Sequence, residues 1–262
     1  MARRTGRSPL AVPRRIRLVA GQTLGEALHL RLAWLLGAGG TLLLLMARWL
    51  RDFNFGALEL KFVADFGLGA IGLMGTLLAA LATAQLFFNE LGQGGPGCVL
   101  TRPIRRWEYL TGKLAGVMAF LALFVGALVL VLALTIAVRE RELGAAVLPQ
   151  SVFVQAGALL WLKFSLVAAM TLLVCSYARS ALFACGAGLL LAVVAHLRPF
   201  TEATGWLAVL RLWPNLALFD PDPVVNGGGL TGAALLGLAG YWSAFVVLLT
   251  GLASHVFQRR EF

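Results

Sequence analysis

The chain alternates between long apolar runs and short polar segments, and this alternation predicts its architecture. Six of the runs are long enough to cross a hydrocarbon core of about 30 Å as helices. The predicted spans are Leu32–Leu50, Phe66–Phe88, Leu114–Val138, Val152–Tyr177, Ala181–Leu197 and Leu230–Phe257. We therefore expect an all-α integral membrane protein with six transmembrane helices, residues 32–257 forming the transmembrane domain.

The N-terminal residues differ in pattern from the spans that follow them. Residues 1–15 hold five arginines and two prolines, a composition that predicts a disordered basic arm. Between residues 16 and 31, apolar side chains recur at helical spacing and charged residues lie between them, which predicts an amphipathic helix in the membrane interface. The positions with helical spacing are Ile16, Val19, Ala20, Thr23, Leu24, Ala27 and Leu28.

The distribution of positive charge predicts the orientation in the membrane. With the N-terminus inside, the cytoplasmic segments hold about twice as many Lys and Arg residues as the external ones, so both termini are expected in the cytoplasm. The external segment 198–229 contains an apolar stretch too short to span, ended by Pro214, and is expected to be re-entrant or interfacial. Residues 258–262 are expected to form a cytoplasmic tail.

Composition supports the membrane class, and the absence of several motifs limits the chemistry that the chain could perform. The chain is 60% hydrophobic, with 13% charged residues and a mean hydropathy of +0.85, which is too apolar for a soluble domain of this size. The net charge of +10 comes from basic residues outside the apolar runs, so topology explains it better than nucleic-acid binding. The sequence contains no phosphate-binding G-x-x-x-x-G-K-[ST] motif, its three histidines lack metal-site spacing, and its three cysteines suggest no disulfide framework. We therefore predict no catalytic residue and no metal site.

The segment 101–113 lies between the second and third predicted spans and is basic and aromatic. Its Arg and Lys residues favour the cytoplasmic side, while Trp107 and Tyr109 suit the headgroup level. Pro103 is compatible with the first turn of a short helix. An ordinary cytoplasmic loop with anchoring side chains accounts for these residues equally well.

The spacing within this segment resembles the signature loop of ABC-2-type transporter permeases. The matching residues are Leu100, Arg102, Pro103, Ile104, Arg106, Glu108, Tyr109, Leu110, Gly112, Lys113 and Gly116. Residues 16–31 likewise resemble the elbow helix that opens these permeases. In that family the loop forms a coupling helix that docks into a separate ATPase subunit. The resemblance implies that the coupling residues here are Arg102, Pro103, Arg105, Arg106, Trp107, Glu108 and Tyr109.

On a short helix starting near Pro103, Arg106 and Tyr109 share a face, so these two are the expected docking residues. Arg105 is expected at the rim of the interface.

The resemblance also implies a function, a location and partners. The chain would be the permease subunit of a transporter in a bacterial cytoplasmic (inner) membrane, acting as a homodimer or with a sister permease. ATP would bind the partner ATPase, and this chain would hold no cofactor and bind no nucleic acid. The transported substrate is open. A non-transporting membrane scaffold that anchors an ATPase or an assembly factor is the alternative.

Lys163 is a charged residue about midway along the fourth predicted span, where charge is costly. None of the six predicted spans contains an Asp or Glu that could pair with it. One interpretation is an intramembrane contact for an anionic substrate or a lipid headgroup. The preferred one is that the side chain snorkels toward the outer surface or donates to backbone carbonyls.

Overall fold

The computed structural model describes residues 11–47, 59–92, 105–143, 149–198, 212–227 and 229–258, and every regular element in these ranges is helical. The α-helices are α1 (Ala11–Leu28), α2 (Arg31–Ala47), α3 (Glu59–Gly92), α4 (Arg106–Leu143), α5 (Gln150–Tyr177), α6 (Ala181–Leu197), α7 (Asp222–Gly227) and α8 (Gly232–Gln258). A 3-10 turn, Leu216–Phe219, precedes α7.

The long helices are those of a multi-pass membrane protein. In the described residues, α3, α4, α5 and α8 are long and apolar enough to cross a membrane. Helices α1 and α2 meet at a bend of 62° and would add a fifth crossing if taken as one span. Helix α6 is apolar but has only 17 residues, or about 26 Å at 1.5 Å per residue. The all-α class is thus confirmed for the described residues and is compatible with a membrane protein of several spans, while the count of six spans stays a prediction.

Helix α5 forms the centre of the bundle. Buried residues make up 83% of its most apolar stretch, against 6% for α8. It packs against α3, α4, α6 and α8, so most of its side chains meet protein rather than the surroundings. A charged residue in the middle of α5, such as Lys163, therefore needs a partner within the protein.

The expected disorder of residues 1–15 is wrong for residues 11–15, which form the start of α1. Pro13 is compatible with a helix there, because the first turn needs no donor from its nitrogen. Arg15 pairs with Glu108 of α4, which holds this part of α1 against the bundle. Residues 1–10 lie outside the described residues.

Two helices are longer than the apolar runs that predicted them. Helix α3 begins at Glu59 rather than Phe66, so Asp65 lies inside it. Helix α4 has 38 residues, about 57 Å, and therefore extends beyond a hydrocarbon core of about 30 Å. Residues 106–113 accordingly form the first turns of α4 and not a separate short helix. Hydropathy marks the apolar part of a helix, whereas backbone hydrogen bonding continues into its polar ends.

The described part of the segment predicted to be external, 212–227, folds back onto the bundle. The 3-10 turn packs on α5 and α6, and α7 packs on α3 and α5. Asn215 fixes the turn, since its side chain accepts from the Ala217 N–H at 3.1 Å and its own N–H donates to the Tyr241 hydroxyl at 2.8 Å. The buried apolar side chains are those of Leu216, Phe219, Val224 and Val225. The predicted apolar stretch before Pro214 lies mostly outside the described residues.

Candidate functional site

The first turn of α4 contains a buried carboxylate. Glu108 is 1% exposed, although it lies near the end of its helix. It accepts from the Arg105 N–H at 3.3 Å, and its carboxylate lies 3.6 Å from the guanidinium of Arg15. The positive end of the helix dipole also stabilises a carboxylate at this position. Glu108 therefore fixes the start of α4 against α1 and is not available for docking.

Gly112 and Gly116 form the contact between α4 and α1. A Cβ on Gly116 would lie 2.6 Å from the Ala20 carbonyl oxygen, and one on Gly112 would lie 2.8 Å from the Val19 Cβ. Glycines four residues apart lie on the same helix face and allow two helix backbones to approach closely. These two glycines thus have a structural role, which is to let α1 lie against α4.

Lys113 is the second buried charge on this part of α4, at 1% exposure. Its Nζ donates to the Tyr109 hydroxyl at 3.3 Å and lies 5.4 Å from the centre of the Tyr109 ring. The aromatic face and the hydroxyl both favour the ammonium. Tyr109 is therefore half-buried beside Lys113, whereas the sequence suggested a docking side chain.

Arg106 links the start of α4 to the end of α8. Its Nη1 donates to the carbonyls of Phe257 and Gln258 at 3.0 and 2.9 Å, and its guanidinium lies 5.9 Å from the centre of the Phe257 ring. The last carbonyls of a helix lack partners within the helix and lie at its negative end, so a cation there is favourable. Of the expected docking pair, Arg106 is therefore engaged by the chain itself.

The other expected coupling residues are distributed differently. Arg105 is exposed just before α4, and Trp107 is partly buried beside α8. Arg102 and Pro103 lie outside the described residues, as does Cys98. The structure thus brings Arg105, Arg106, Trp107, Glu108 and Tyr109 onto one end of one helix, with Arg105 the most accessible.

Lys163 has a partner that the sequence did not suggest. Its Nζ lies 2.5 Å from Asp220 Oδ1, across 57 residues of chain. Donation to backbone carbonyls is therefore not what the structure shows, because the carboxylate of Asp220, from the residues before α7, reaches the middle of α5. Snorkelling toward the outer surface stays a prediction. His196 Nε2 lies 3.9 Å from the other oxygen of Asp220. The sequence signal for this contact was weak. It consisted of an Asp-Pro-Asp-Pro run at residues 220–223, flanked by apolar residues within a predicted loop.

These side chains line a cavity of about 430 Å³ between α3, α5, α6 and the residues before α7. Two nearby polar atoms, His196 Nδ1 and Asp65 Oδ1, are buried without a hydrogen-bond partner in the described part of the chain. Gly69 and Gly72 form one wall, where a Cβ would meet no atom within 4 Å. Other lining residues are Leu68, Leu73, Thr76, Leu160, Lys163, Val193, Leu197, Leu216, Asp220 and Asp222.

Metal ligation finds no support at this cavity. No group of three or more His, Cys, Asp and Glu side chains that could hold a metal ion occurs within the described ranges. Cys175 and Cys185 are buried in α5 and α6 and form no disulfide within the described residues.

No protein-family model matches the chain, and no curated protein sequence matches it. A functional proposal therefore rests on the two regions just described, the start of α4 with its partners and the cavity at Lys163.

Proposed function

We propose that the chain is the permease subunit of an ABC-2-type transporter in a bacterial cytoplasmic membrane. It would act as a dimer with a second copy or a sister permease, driven by a separate ATPase that binds the ATP. Helices α2 to α6 and α8 would be the six spans, and α1 would lie in the cytoplasmic interface.

One observation carries the proposal: the start of α4 joins the first and last helices of the described chain. Glu108 pairs with Arg15 of α1, and Arg106 donates to the terminal carbonyls of α8. A force applied by an ATPase to this end of α4 would therefore act on α1 and α8 as well as on α4 itself. Such a junction suits a segment that transmits motion from a partner subunit.

The same contacts support the proposed topology. Arg106 touches Gln258, and α1 packs along the first turns of α4. The N-terminal helix, the start of α4 and the end of α8 consequently lie at one end of the bundle. The positive-inside rule assigns these three segments to the cytoplasm on independent grounds.

The contacts also refine which side chain would meet the ATPase. Glu108 and Lys113 are buried, Arg106 is engaged with α8, and Arg105 is exposed. Arginine is among the residues that most often dominate protein interfaces. Among the described coupling residues, Arg105 is therefore the side chain best placed to contact the partner, in place of the Arg106 and Tyr109 pair expected from the sequence.

The test is affinity purification of the chain from detergent-solubilised membranes of its native host, followed by mass spectrometry. We expect an ABC ATPase to copurify and Arg105→Glu to reduce its recovery by about tenfold, as for the loss of one interface hot spot. Arg141→Glu is the matched control, since Arg141 is an exposed arginine at the opposite end of α4.

Two outcomes would count against the proposal. If no ATPase copurifies, or if Arg105→Glu retains it as well as wild type does, the start of α4 is an anchored helix end without a coupling role. An ATPase that binds but hydrolyses ATP at the same rate with and without the chain would favour the scaffold alternative.

A further inference from the structure

We propose that the cavity at Lys163 is a binding site, within a single chain, for a lipophilic organic cation. The cavity lies between α3, α5, α6 and the residues leading into α7. The proposal goes beyond the transporter assignment, because binding here needs neither an ATPase nor a second permease. It rests on three observations: the sign of the charge, the apolar walls and the unsatisfied polar atoms.

The charge balance of the cavity favours a cation. The ammonium of Lys163 is already compensated by Asp220, so an anionic ligand would have to displace that carboxylate. Asp222 adds a second carboxylate to the lining. Asp65 lies outside the lining, close enough to Asp222 for the two carboxylates to repel each other. The lining itself holds two carboxylates and one ammonium, which leaves a formal charge of one negative unit.

The walls specify a ligand with hydrocarbon groups. Leu73, Leu160, Val193 and Leu197 line the cavity along three helices, and the bare backbone at Gly72 widens it. A volume of about 430 Å³ is within the range of small-molecule pockets, about 300–1,000 Å³. A small inorganic cation would leave these walls without contacts, whereas a cation surrounded by apolar groups matches them and loses less hydration on entry.

The buried polar atoms leave hydrogen-bonding capacity unused. His196 Nδ1 and Asp65 Oδ1 have no partner among the described residues, although buried polar groups usually have one. His196 lines the cavity directly, next to Asp220. Polar substituents on a ligand, or water that enters with it, would satisfy such atoms. A cavity that bound only hydrocarbon would not account for the unsatisfied atoms of His196 and Asp65 beside it.

The test uses two probes of the same shape and opposite charge, tetraphenylphosphonium and tetraphenylborate. Binding of each to the purified full chain in nonionic detergent is measured by equilibrium dialysis. We expect saturable binding of the phosphonium, about tenfold tighter than any binding of the borate, as one uncompensated charge in a partly apolar site would produce. The assay contains no ATPase, so its result is independent of the proposed transporter function.

The first variant removes the excess charge. Asp222→Asn should weaken phosphonium binding about three- to tenfold and leave borate binding unchanged or stronger. Glu26→Gln is the control, because it removes one carboxylate from α1, outside the cavity lining. Asp222 is exposed at the first turn of the short helix α7, so its substitution should not disturb folding.

The second variant fills the cavity. Gly72→Leu should abolish saturable binding, whereas Gly126→Leu, which also places a side chain where no atom lies within 4 Å, should have no effect because Gly126 does not line the cavity. Size-exclusion chromatography checks the fold of each variant. The proposal is overturned if neither ion binds saturably, if both bind equally, or if Asp222→Asn leaves phosphonium binding unchanged.

Discussion

The start of α4 and the cavity at Lys163 are both polar regions of an apolar chain, but they are built in different ways. At the start of α4, Glu108 and Lys113 are each 1% exposed and have partners at close range, while Arg106 caps another helix. At the cavity, Lys163 and Asp220 pair beside an open space, and nearby polar atoms lack hydrogen-bond partners within the described chain.

This difference suits the two regions to the different roles proposed for them. Charges that are enclosed by the protein or hydrogen-bonded to a neighbouring helix fix helices relative to one another, so the start of α4 is suited to transmit force. Charges beside an accessible space can change partners, so the cavity is suited to bind a ligand. The following variants test whether the first region is held by close packing and the second by a single ion pair.

The largest effect is expected at the close crossing of α1 and α4. Gly116→Leu would place a side chain into the Ala20 carbonyl and Thr23, so α1 cannot keep its position. We expect a loss of about 3 kcal/mol in stability, the upper range for overpacking. The measurement is thermal unfolding in detergent followed by size-exclusion chromatography. Gly126→Leu on the same helix is the control, and equal melting temperatures for the two variants would contradict the close crossing.

An intermediate effect is expected from breaking the ion pair in the cavity. Lys163→Met leaves the Asp220 carboxylate without its closest cation and should cost about 1–2 kcal/mol, less than for a fully buried pair because Asp220 is 28% exposed. The double variant Lys163→Met/Asp220→Asn should recover part of this loss, because it removes both charges together. Thermal unfolding of the two single variants and the double variant gives the coupling. Strictly additive losses would mean that the two side chains do not interact.

The sequence predicted the helices well where local signals mark them. The bounds of α6 are those expected, because Ser180 caps its first turn by accepting from the Phe183 N–H, and arginines flank the apolar run. Helix α4 was predicted too short, because its charged ends, including Glu108 and Lys113, are helical without being apolar. Burial of those charges depends on α1 lying against them, which no local pattern reports.

Neither functional region could be derived from local sequence alone. Lys163 meets Asp220 across 57 residues, and Arg106 meets Gln258 across 152. Such pairs depend on how the helices pack, and a hydropathy pattern is the same whether or not they form. The sequence therefore identified Lys163 and Arg106 as unusual residues but not their partners within the chain, Asp220 and the last carbonyls of α8.

The smallest effect is expected at Arg106. Comparing Arg106 with Arg105 separates the two roles considered for the start of α4, which are holding the end of α8 and contacting a partner subunit. Arg106→Ala removes two hydrogen bonds to α8 carbonyls, and should cost about 1 kcal/mol because the site is only partly buried. Arg105→Ala should change stability by less than about 0.5 kcal/mol, as exposed substitutions usually do.

The readout for this pair is hydrogen exchange at the end of α8, measured by mass spectrometry in detergent. Arg106→Ala should speed exchange in the last turn of α8, because loss of the cap lets that turn fray, while Arg105→Ala should leave it unchanged. Arg106→Lys should protect only in part, since an ammonium keeps the favourable charge but lacks the planar fork that reaches both Phe257 and Gln258. If Arg106→Ala leaves the end of α8 as protected as in wild type, the two helices are not joined there, and a force on α4 would have no direct route to α8.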